Sequence, residues 1–69
     1  MTAIVAQSFH DYKIEILRKG LDQDDCKHVY SVDSARGIYF DKVIYAKGWD
    51  EMTHAEDIAE YFTIRNITT

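Results

Sequence analysis

Cys26, His10, His28 and His54 are the side chains that could ligate a metal or attack a substrate, and their spacing argues against both. Structural zinc sites draw on paired, closely spaced Cys and His motifs. Here one cysteine stands near one histidine, and the other two histidines are dispersed. A Cys–His nucleophilic pair also needs an oxyanion hole and a cleft, and no motif announces either. Asp22, Asp24, Asp25 and Asp33 offer oxygen ligands for calcium. Counted from Asp22, an EF-hand loop requires Gly at its sixth position and Glu at its twelfth. Lys27 and Asp33 occupy those places, so this stretch reads as a solvated turn. The remaining carboxylates fall on a helix exterior, which does not drive paired pKa values apart as acid–base catalysis requires. No catalytic residue, metal or cofactor is expected.

Those last carboxylates belong to the stretch with the firmest pattern, Trp49 to Asn66. Thr53 and Glu56 have capping-box spacing, which predicts a helix starting at Thr53. Ala55, Ile58, Ala59 and Phe62 follow the i, i+3, i+4, i+7 rule and share one face. Glu56 and Asp57 lie in the first turn, where the helix dipole favours negative charge. With Glu60, and with Asp50 and Glu51 just upstream, they form an acidic exterior. Asp50, Glu51, Glu56, Asp57, Glu60 and Tyr61 are the candidate partner-binding residues.

The other elements are less determined. Over 8–20, Tyr12, Ile14 and Ile16 alternate as in a strand. The alternative is a helix with Ser8 and Asp11 at its start, a face of Phe9, Tyr12 and Ile16, and an end at Gly20. The strand former content favours the strand. Lys27–Val32 reads as a second strand and Ile38–Ala46 as a third, with Asp33–Gly37 as the turn between. Asp41-Lys42 interrupts the third strand, which predicts a bulge or turn there. Lys47-Gly48 ends it. Trp49 is expected to roof the core. Residues 63–69 read as a fraying end or a short final strand. The expected fold is α+β: a small antiparallel sheet of three to four strands, with one C-terminal amphipathic helix on one face. The alternative is an all-α three-helix bundle starting at Ser8, Ser34 and Thr53.

With 69 residues the chain is read as one domain over residues 1–69. Its 46% hydrophobic content excludes a disordered chain. A core this small supplies only about 3–5 kcal/mol, and a lone cysteine offers no internal disulfide, so a partner or a homodimer is a natural supplement. No apolar run has transmembrane length, and residues 1–7 lack the basic region of a signal peptide. Both point to a cytoplasmic protein that engages no membrane. Asn66-Ile67-Thr68 matches a glycosylation sequon, which carries no weight without secretion.

The net charge of −4 is unevenly placed. From residue 49 onward, Arg65 alone opposes five acidic residues. Direct nucleic-acid binding needs a clustered positive surface, and none is evident. Five Tyr, three Phe and one Trp are many for a small acidic chain. Tyr12, Tyr30, Tyr39 and Tyr45 fall on the expected strands, so an uncovered sheet face would present them to a partner. These features predict a non-enzymatic protein-binding module that occupies the basic surface of a nucleic-acid-handling partner. In size and charge, and in those alone, the chain is similar to small phage-encoded inhibitors of host defence such as anti-CRISPR proteins. The competing expectation is a structural homodimer or a small subunit of a larger assembly.

Overall fold

Residues 2–6 form an unbroken buried run, and this run is the centre of the fold. In the computed structural model, which describes residues 1–65, β1 (Thr2–Val5) lies between β2 (Cys26–Val29) and β3 (Lys42–Tyr45). Both neighbours run parallel to β1, with Ile4 opposite His28 on one side and Ile44 on the other. The class is mixed α+β, with three strands and three α-helices among the described residues: α1 (Phe9–Lys19), α2 (Val32–Ala35) and α3 (Ala55–Ile64). The expected antiparallel arrangement is thus corrected to a parallel one, and the all-α alternative does not form. Successive side chains of a strand point to opposite faces. Ala3, Val5, Val29 and Val43 face one way and pack with Phe40, Ala35 of α2, and Ile58 and Phe62 of α3. Ile4, Ala6, Ile44 and Ala46 face the other way and pack with Tyr12 and Ile16 of α1. A parallel sheet is covered on both faces, so its strands read as continuous apolar runs rather than alternating ones.

The stretch over 8–20 is the helical alternative, not a strand. The Ser8 hydroxyl accepts the backbone N–H of Asp11 at 3.2 Å, and Ser8 itself is extended, as an N-cap should be. At the far end Gly20 takes φ 64°, and its N–H reaches back to the carbonyls of Ile16 and Leu17. The narrow seam of Tyr12 and Ile16 suffices because the sheet face beneath it is equally narrow.

Part of the turn expected over Asp33–Gly37 is helix, α2, and α3 starts later than the Thr53 cap predicted. Ser31, not Ser34, caps α2, and the two serines bond reciprocally as a capping box. For α3 the Thr53 cap does not form. The N-cap is His54, without a side-chain cap bond, and the Ala55 N–H goes to the Met52 carbonyl at 3.2 Å. The approach to α3 instead runs through a 3-10 turn at Trp49–Glu51 and the packing of Trp49 and Met52 on the core. The apolar seam holds where it was read: Ala55, Ile58 and Phe62 are buried and Ala59 is half-buried.

The second and third strands are shorter than read, and β3 begins at Lys42, where the alternation breaks. Gly37 has φ 81° in the preceding turn, and Gly48 has φ 85° where the chain leaves β3. Thr63 and Ile64 belong to α3, Arg65 is its C-cap, and residues 66–69 of the expected terminal segment lie outside the described residues. No helix among the described residues is long and apolar enough to cross a membrane.

Candidate functional site

Parallel strands bring their carboxyl ends to one edge, and the connections that follow gather there. Ligands of open sheets of this kind bind in the crevice outside those ends. Gln7 follows β1, Tyr30 follows β2, and Glu51, Met52, Thr53 and His54 follow β3. Together they line a hollow of about 420 Å³. A second hollow, of about 370 Å³, adjoins it and adds Asp50, Ala55, Glu56 and Asp57. A third, of about 140 Å³, lies between α2 and α3 and is lined by Ser31, Val32, Asp33, His54 and Asp57. His54 borders all three. Its Nδ1 lies 3.7 Å from an Asp57 carboxylate oxygen, one helical turn on.

The structure therefore brings Asp50, Glu51, Glu56 and Asp57 together as a rim at the sheet's carboxyl edge, all exposed. Glu60 is also exposed, one turn beyond Glu56 on α3. Tyr61 stands apart from the rim. It is half-buried, edge-on to Phe62 at 5.4 Å, and its hydroxyl accepts from Arg65 at 3.0 Å. The Arg65 guanidinium lies 5.3 Å from the Tyr61 ring. This engagement leaves Tyr61 less free than its acidic neighbours.

The expected tyrosine-bearing sheet face does not exist, because both faces are covered. Tyr12 is buried on α1 and donates to the Cys26 carbonyl at 3.4 Å. Burial, then the nearby Cys26, raises the Tyr12 phenol above its ordinary range. Tyr45 is half-buried against Trp49, with ring centroids 4.5 Å apart, and burial raises its phenol too. Trp49 packs against the core. Tyr39 is exposed on the approach to β3. Only Tyr30 reaches the candidate site.

Gln7 and His54 are site residues that sequence reasoning did not assign to a partner surface, and Tyr30 was expected on one only through an uncovered sheet face. Their signal was positional: each lies just beyond an element whose direction had to be known first. His28 joins an aromatic stack, 5.2 Å from Tyr12 and 5.2 Å from Tyr30. Its Nε2 lies 3.0 Å from the Ala6 carbonyl, and since a carbonyl only accepts, that nitrogen carries the proton. Cys26 is half-buried, and burial followed by Asp25 and Asp22 pushes its thiol above the ordinary value, the N-terminal ammonium opposing them. Among the described residues no group of three or more His, Cys, Asp or Glu side chains is placed to hold a metal.

Comparison of the chain with protein-family models, with curated proteins and with solved structures finds no match. The site's own geometry must carry the functional reading.

Proposed function

We propose that the chain is a non-enzymatic, cytoplasmic protein-binding module whose acidic rim occupies a basic surface of a nucleic-acid-handling partner. The observation that carries this reading is the gathering of Asp50, Glu51, Glu56 and Asp57 around two adjoining open hollows. Hollows at a sheet's carboxyl edge can admit protruding side chains. The rim carboxylates favour lysine or arginine, and the exposed Tyr30 ring can meet a cation through its face. Charge of one sign at such an edge also speeds encounter with a basic partner. A stoichiometric inhibitor of the kind phages direct against host defence is the finer form of this proposal.

The test begins with affinity capture from the native host and mass spectrometry of what is retained. Association with the captured partner is then followed at two salt concentrations, using wild type and the double variant Glu51→Lys, Asp57→Lys. Both positions are exposed, so stability should change by less than about 1 kcal/mol. The proposal expects slow association of the variant and loss of the salt dependence that wild type shows. Equal rates for both proteins at both salt concentrations would refute it.

A further inference from the structure

The end of β3 borders another hollow, on the α1 face of the sheet. It holds about 150 Å³ and is lined by Asp11, Ile14, Glu15 and Arg18 from α1, and by Ala46 and Lys47 beyond β3. Its position follows from the topology. The connection after β1 leads to α1 on one face, and the connection after β3 leads to α3 on the other. The point where two such connections part is where open sheets of this type form ligand crevices.

Glu15 distinguishes this hollow from the acidic rim. It is 2% exposed, although it is a glutamate on a short helix. One carboxylate oxygen, Oε1, lies 3.4 Å from the Arg18 guanidinium. The other, Oε2, is buried with no hydrogen-bond partner. A buried polar atom without a partner is unfavourable, and each such case calls for a donor.

The lining charges state what kind of donor fits. Two carboxylates, Asp11 and Glu15, share the hollow with two cations, Arg18 and Lys47. A simple cation would be repelled by the latter pair, and a simple anion by the former. A zwitterion satisfies both, with its ammonium on the carboxylates and its carboxylate on the cations. Ile14 and Ala46 supply a small apolar wall. A hollow of about 150 Å³ suits only a very small molecule. We infer that this hollow is a binding site for a free α-amino acid with a short side chain, of glycine or alanine size. The site is separate from the acidic rim, and the inference is independent of the partner proposed above.

Backbone amide chemical shifts, followed during titration with glycine and with L-alanine, test it. The expected result is saturable shifts concentrated at residues 11–18 and 46–47. Methylammonium and acetate, given separately, should bind at least about tenfold more weakly, because each meets half of the charge pattern. Glu15→Gln should weaken glycine binding by about tenfold or more. Lys47→Ala, at an exposed position, should weaken it as well and serves if the Glu15 variant does not fold. The inference is overturned if neither amino acid gives a saturable shift at about 10 mM, tenfold above a ~1 mM dissociation constant. It is equally overturned if methylammonium or acetate alone binds as tightly as glycine, or if the folded variants bind like wild type.

Discussion

The Ser8 hydroxyl and the Asp11 backbone N–H, 3.2 Å apart, mark the point where a chain segment of mixed pattern becomes helix. Thr53 has the same residue chemistry and makes no such bond to α3. Ser8→Ala should therefore cost about 0.5–2 kcal/mol, as removal of a working cap does. Thr53→Ala, at an exposed position without a cap bond, should stay within about 0.5 kcal/mol. Urea denaturation of the two variants checks the contrast. A Thr53→Ala loss as large as that of Ser8→Ala would reverse the assignment of the two helix starts.

Phe62 is the largest buried side chain of α3 and lies 6.0 Å from Phe40, ring to ring, in an edge-on arrangement. Phe62→Ala removes this contact and leaves a cavity, a change that costs about 3–5 kcal/mol. That equals most of what a core of this size supplies. Circular dichroism of the variant should show loss of the folded helical signal at 25 °C. A cooperative melt at the wild-type temperature would show that α3 does not pack as described.

The Cys26 thiol is held above its ordinary value by burial and by Asp25 and Asp22. Thiolate is the reacting form, so alkylation by iodoacetamide at pH 8 should be slower than for a free cysteine. Asp25→Asn removes one of the opposing charges and should speed it. Timed mass spectrometry gives both rates, and a variant slower than wild type would contradict the electrostatic cause.

Asp41 accepts from the Met1 ammonium at 3.2 Å, and this bond holds its carboxyl below the ordinary value of 3.8. A carboxyl depressed in the folded state contributes stability above its unfolded value. That stability is lost as pH falls through the folded one. Melting temperature should therefore drop below about pH 4, and Asp41→Asn should flatten that limb while leaving the neutral-pH slope alone. Parallel acid limbs for wild type and variant would remove Asp41 from the account.

The α3 seam was legible because Ala55, Ile58 and Phe62 repeat with the helix period, a local property of consecutive residues. The exposed acidic residues were legible for the same reason, since the face opposite a buried seam is solvated. The end of the third strand was also readable, because Gly48 needs a positive φ that few other residues tolerate. The direction of the strands was not. It depends on β1, whose Thr2–Val5 run pairs with residues far along the chain on both sides. A continuous apolar run is what a doubly covered strand looks like, yet nothing local separates it from other apolar segments. Segment 8–20 carried both a period of two and a helix cap, and the narrow sheet face decided between them by giving Tyr12 and Ile16 a surface to cover. Only the parallel arrangement set Gln7, Tyr30 and His54 beside Glu51, because parallel strands end at a common edge and a residue's place there follows from pairing, not from sequence neighbours.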